Sequence, residues 1–563
     1  MLFRFIVAAF AAVLAGVVAR ADAVAPPEGL VIEIGAMVYR IPRLSVQGGT
    51  LTGADLARLA DPRDKTPPGE RLAHLTAARV IIPEISGETK PGERWTRVIY
   101  KDVVLEDVVS GRIGLLRAAS LEQSAKGAGE ASAIGAVEAR YTNLAAKGVD
   151  LRQLAHVLTE ARPDDREAAK SIEEEASIES ATLTLPETGL ELHAGPITAV
   201  GLRARALKQP PLAPAKDAAA TTPEQGPASF PLAALGALEF DAFSARDVAA
   251  TGRDAPGEKP YAVVKFARIA LNKVAGGRAQ VVSIDDFALE SAGDGRLALR
   301  RLALRGFDFN GLLTPGAARP WRIDRAEAEG VSADLPDAGA DGRVKFEIGA
   351  FSADFANYYE SMPTKFAVRL DRLKADLAAR GESPSAHFFQ TLGYGDLALS
   401  ANFDGVWREE AREFVVSQAR VDAKDMGALT LQATFGNVGS AVFSPTPIIA
   451  RAAMLTANIG RLEATVEGGG LIDRLLAQEA KAGGGDIAKL RADYARDAGG
   501  AIETLLEGGD KARSIGAAVT KFINHPTRLH IKLTSPKGVG ALDLGLKRPG
   551  DILEGLEVEA EAR

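Results

Sequence analysis

Apolar and polar positions alternate through much of the chain. The clearest stretch is 396–436, where Leu397, Leu399, Ala401 and Phe403 alternate with polar residues. Val415, Ser417, Ala419 and Val421 follow with a weaker alternation, then Leu429, Leu431, Ala433 and Phe435 with a strong one. Strand side chains alternate faces with period two, so each run puts one apolar face to one side. The short polar segments "REEAR" and "KDMG" leave room only for tight turns. The pattern predicts an antiparallel meander with Leu397, Leu399, Phe403, Leu429, Leu431 and Phe435 on one buried side.

Elsewhere the alternation changes phase. In "GRLALRRLALRGFDF" (295–309), Leu297 and Leu299 are followed by Leu302 and Leu304. This reads as a strand, a pair of arginines and a second strand. Val344, Phe346 and Ile348 are likewise followed by Phe351, Ala353 and Phe355, and the run from Leu30 to Ile41 flips across Gly35. A flip needs a bulge, a break or a strand covered on both faces. Gly349 fits a bulge and Arg300-Arg301 a wide one. Six Gly-Arg dipeptides occur, at irregular spacing, which marks turns rather than a solenoid repeat.

These patterns predict an α+β chain, predominantly antiparallel β in a long bent sheet, with short helices and a C-terminal helical segment. Residues 28–207 form a β-rich region, with helices at 52–62, 67–80 and 151–161. In the last of these Leu151, Leu154, Ala155 and Leu158 share a face. Residues 208–229, with five prolines, form a linker or loop. Residues 230–467 are an antiparallel β region. From 470 to 524 the period becomes helical, with breaks at Gly483–Gly485 and Gly508-Gly509 and with Asp486 and Asp510 as N-caps. Residues 527–563 hold terminal strands.

The N-terminus sets the compartment. Arg4, the apolar run Phe5–Val18 and the small-x-small sites ending at Ala21 and Ala23 make a secretory signal, assigned to 1–21. The run is shorter than the roughly 20 residues a membrane span needs, and no later segment is long enough either. The chain therefore reads as periplasmic. It has no cysteine, which excludes disulfides, thiolate catalysis and lipidation at cysteine. The net charge of −7 over 563 residues sits in no single block, which argues against a nucleic-acid partner.

Candidate chemistry is sparse. The six histidines show no metal-ligand spacing. No nucleophile elbow or phosphate loop occurs. "GFDFNG" (306–311) reads as a turn, Asp285-Asp286 as a poorly placed carboxylate pair, and "SIEEEASIES" as a solvated stretch. Trp95, Trp321 and Trp407 read as core plugs. No catalytic, cofactor-binding or metal residue is assigned. The run "KFINHPTRLHIKLTSP" with "RPGDILEGLEVEAEAR", and "LGYGDLALSANFDGVW" upstream, resembles uncharacterised signal-bearing alphaproteobacterial envelope proteins. The β-rich exported layout is similar in style to AsmA-like proteins, a resemblance that implies lipid transport or envelope upkeep. The function expected is a non-enzymatic envelope scaffold or a binder of lipid, another apolar ligand or a partner protein. The alternative is an exported hydrolase whose site the sequence does not display.

Overall fold

The computed structural model describes residues 30–34, 37–49, 66, 68–89, 95–126, 136–160, 167–206, 236–254, 258–313, 321–337, 342–359, 362–380 and 384–563. Among these, 59% are strand and 22% helix, and the sheet is antiparallel. The N-terminal signal, the helix expected at 52–62 and the proline-rich 208–229 segment lie outside the described residues. The chain divides into two compact units. One is Met1–Ala292 with Arg305–Trp321; the other is Gly293–Leu304 with Arg322–Arg563. The division falls within Arg296–Asp308, a single continuous strand rather than two strands split by Arg300-Arg301.

In the first unit, the strands Ala77–Thr89, Trp95–Val109, Arg112–Lys126, Ala136–Asp150 and Lys170–Leu185 pair in sequence. Lys170–Leu185 then pairs with Leu190–Ala194 and Ile197–Ala204, and both of these meet Leu238–Gly252. One face encloses a core running from Tyr39 to Ala245. Helices α1 (Pro68–Leu72) and α2 (Leu151–Thr159) belong to this unit. Leu151, Leu154, Ala155 and Leu158 of α2 are fully buried, as their spacing predicts. The helix expected over 67–80 is shorter, because the chain is already strand from Ala77.

The phase flips have a common cause. In Trp95–Val109 the buried residues are Tyr100, Val103, Leu105 and Val108. Asp102 and Asp107 stand between them in the left-handed conformation, at φ +53° and +54°. Each breaks the alternation without shifting the ladder register and so returns the next apolar side chain to the core. Asn143 (φ +47°) does this between Tyr141 and Leu144, and Asp247 (φ +49°) between Ala245 and Val248. Asp, Asn and Gly hold most such positions, the residue types that enter this conformation most readily.

The flips line up across neighbouring strands. By register, Asp102 stands between Pro83 and Ala119, and Ala119 faces Asn143. In the second unit Gly330 (φ +64°) faces Gly349, which faces Arg372 (φ +52°). The bulge expected at Gly349 is absent: both of its ladders keep their register through Gly349, and the register shift lies one strand on, between Leu370 and Leu373. Residues that flip opposite one another keep the two strands of a pair in register.

In the second unit, Arg325–Pro336, Arg343–Tyr359, Met362–Asp376, Asp396–Arg408, Glu413–Ala423, Gly427–Gly436, Asn458–Glu467, Arg528–Gly540 and Glu557–Ala562 pair each with the next. The meander at 396–436 is present as expected. Along the chain, α3 (Asn310–Leu313) is a single turn in the first unit. The second unit has α4 (Pro384–Thr391), α5 (Pro447–Met454), α6 (Gly470–Gly483), α7 (Ile487–Leu505), α8 (Gly509–Asn524), α9 (Ala541–Leu546) and α10 (Pro549–Glu554). The helical block expected at 470–524 is therefore α6 to α8. Gly484 ends α6 at φ +67°, and Asp486 caps α7 by accepting from Ala488 N at 3.0 Å. Asp510 is not a cap: Gly508 holds that position, and Asp510 pairs with Arg513 inside the first turn. Helices α4, α5, α9 and α10 interrupt stretches that the pattern assigns to strands. Among the described residues no helix is long and apolar enough to cross a membrane.

Candidate functional site: the apolar face of the second unit

Residues directly opposite in an antiparallel ladder share a face. Gly405 of Asp396–Arg408 stands opposite Phe366 on one side and Val416 on the other. Phe403 stands opposite Val368 and Ala419, and Ala401 opposite Leu370 and Val421. The same rows reach Phe351, Ala353 and Phe355 on one flank and Leu429, Leu431 and Ala433 on the other, and the next row joins Trp407, Phe414 and Phe435. The second unit therefore carries one continuous apolar face, and the side assignment of the six meander residues is correct.

Their burial is not what the pattern implies. Leu397, Leu399, Phe403, Leu431 and Phe435 are only half-buried, while Leu429 is 40% exposed and Val421 43%. Alternation reports which side is apolar; it does not report how much other chain is available to cover it. Gly405 makes the floor of the stripe. A side chain there would come within 3.0–3.1 Å of Phe366, Phe403 and Phe414. With no side chain beneath, the Phe366 ring stacks on Phe403 at 5.5 Å and on Phe414 at 5.7 Å.

Among the described residues, cover exists only around the margins. Helix α8 lies on the last strands, with Ala518 and Phe522 packed against Val466, Leu529 and Ile531. At one end, Leu397 packs with Leu392 and Tyr394 just after α4, Met426 in the turn before Gly427–Gly436, and Leu475 of α6. The nearby crevice of 460 Å³ between α4 and α6 is lined by Phe388, Leu392 and Leu475. At the other end, Trp407 packs on Phe443 at 4.7 Å and donates its indole N–H to the Val438 carbonyl at 2.8 Å. Trp407 is thus the plug expected of it, whereas Trp95 and Trp321 are exposed. Between these margins four or five strands stay open, roughly 15–20 Å across and about 30 Å along the strands.

The reverse face is wet and charged. Arg325 meets Asp354 at 3.1 Å, Arg369 meets Asp404 at 3.3 Å, and Arg420 reaches Glu467 at 2.9 Å. Asn402 lies on this face but is half-buried, and its Oδ1 is enclosed without a hydrogen bond.

Two polar features of the first unit have no role in the sequence reading, and the second corrects the solvated reading of "SIEEEASIES". His156 holds Glu160 at 3.0 Å on Nδ1 and Glu167 at 3.1 Å on Nε2. Burial works to raise the Glu167 carboxyl, but the His156 contact leaves it below its usual value. This His–carboxylate clamp ties α2 to the chain that follows. Glu173, in "SIEEEASIES", is fully buried, and neither carboxylate oxygen has a hydrogen-bond partner. Burial raises its pKa to about 8. Among the described residues no cluster of His, Asp and Glu has the arrangement to hold a metal ion.

A protein-family model described as an uncharacterized protein matches residues 420–563. That span starts within the open strands and runs through α5 to α10. No curated protein matches the chain.

Proposed function

We propose that this is a non-enzymatic protein of the bacterial envelope, exported through its N-terminal signal, that holds acyl chains or a similarly slender apolar ligand on the open stripe of the second unit. The observation that carries this reading is the half-exposed apolar face around Phe366, Phe403, Val421 and Leu429, backed by an ion-paired polar face. Open apolar patches beyond a few hundred Å² are uncommon on soluble chains and mark sites of binding. A flat aromatic floor with no convergent polar groups suits a chain-like ligand better than a shaped, hydrogen-bonding one.

The test is binding of a fluorescent fatty-acid probe, with mass spectrometry of lipid carried through native purification. Val421→Glu sits on an exposed position, so the fold should tolerate it. It should weaken probe binding roughly tenfold or more by placing a charge in the stripe. Asp422→Asn, on the opposite face, should leave binding unchanged. Lipid-free protein that fails to bind the probe would remove the reading.

A further inference from the structure

The second unit carries another apolar surface, away from the stripe. Helix α5 has no buried residue, and Ile448 on it is 79% exposed. Ile449, Met454 and Leu455 are exposed beside it. On α9, Leu542 and Leu544 are exposed and Leu546 is 82% exposed. Register brings these segments together. Asn458, three residues after Leu455, pairs with Gly540, two residues before Leu542. Both helices therefore emerge at the same end of one strand pair, beyond the Trp407–Phe443 plug.

The surroundings are basic. Segments 444–457 and 535–551 together hold Arg451, Lys537, Lys547 and Arg548 against Asp543 and Asp551, a balance of +2 in a chain of net charge −7. Lys547 pairs with Asp543 at 2.9 Å and Arg548 with Asp551 at 3.3 Å. Arg451 and Lys537 have no ion pair among the described residues. Bare Ile and Leu on short helices, flanked by unpaired cations, have the composition of an interfacial anchor for anionic lipid.

We propose that the α5–α9 end docks on an anionic lipid surface, its leucines and isoleucines entering the headgroup layer while Arg451 and Lys537 meet lipid phosphates. This does not depend on what occupies the stripe. The test is co-sedimentation of protein expressed from the full 563-residue chain with phosphatidylglycerol–phosphatidylethanolamine vesicles. Wild type should bind these and bind phosphatidylcholine vesicles far less. Ile448→Glu/Leu546→Glu should abolish binding. Arg451→Gln/Lys537→Gln should weaken it by roughly ten- to thirtyfold at low salt. All four positions are exposed or unpaired, so thermal midpoints should match wild type. Equal sedimentation of wild type and the glutamate variant would overturn the proposal. So would vesicle-independent dimerisation abolished by the same variant, which would make this end an interface between copies. Val421→Glu should leave vesicle binding intact, which separates this result from failure of the stripe.

Discussion

Glu173 shows how far one side chain can set a bulk property. Its carboxyl is buried without a hydrogen bond and titrates at about 8, against an ordinary value of 4.5. Below pH 4.5 it is protonated in folded and unfolded chains alike and has no effect. Between 4.5 and 8 the unfolded chain releases the proton and the folded chain keeps it, so stability falls as pH rises, and the loss levels off above 8. The whole loss is on the order of 3–5 kcal/mol. Glu173→Gln should remove this slope, and denaturant unfolding at pH 5 and pH 8 will show it. Parallel pH curves for the two proteins would mean that Glu173 is solvated. At the same scale, the left-handed residues explain why Asp and Asn recur inside strands. Asp102, Asn143 and Asp247 look like solvated polar positions in the sequence, yet they keep successive apolar side chains on one face. Pattern reading detects the flip but not the residue that makes it, because the left-handed conformation leaves no mark beyond a residue type common in turns.

Among the elements, α2 is the most legible and the most dependent on its cap. Asp150 accepts from Arg152 N at 3.0 Å and Gln153 N at 3.1 Å. Asp150→Ala should cost about 1 kcal/mol, read as a lower thermal midpoint. Helices α7 and α8 depend instead on an absence of side chain. At Gly499 a Cβ would overlap the Thr520 hydroxyl, which lies 3.0 Å from the Ala495 carbonyl. Gly499→Leu should therefore push α8 away and cost about 1–3 kcal/mol. The signature expected alongside it is stronger fluorescence of an added apolar dye, as Leu529 loses the cover of Phe522. An unchanged midpoint would mean that the helices are not in close contact. Helices α4, α5, α9 and α10 escaped the sequence pattern for an energetic reason. Helices of six to eight residues are not stable alone and form where tertiary packing or a chain reversal requires them. Their entry carries a local signal, a proline at the first helical position of α4, α5 and α10.

For the whole molecule, the export reading has a direct test. Protein recovered from the envelope should begin at Asp22 or Val24, and N-terminal sequencing that finds Met1 in a membrane fraction would refute cleavage. By itself the sequence determined the antiparallel class, the α2 helix, the 396–436 meander with its apolar side, and the C-terminal helical block. All of these follow from local period, because a strand's two faces and a helix's stripe are written into residues that are neighbours in the chain. Burial was decided only by tertiary structure. The same alternation gives a closed core around Ile82, Leu105, Leu116 and Leu144 in the first unit. In the second it gives a half-open face around Phe403 and Leu429. The difference lies in how much chain is left to cover each face. Closure depends on where distant segments return, and no local period carries that information.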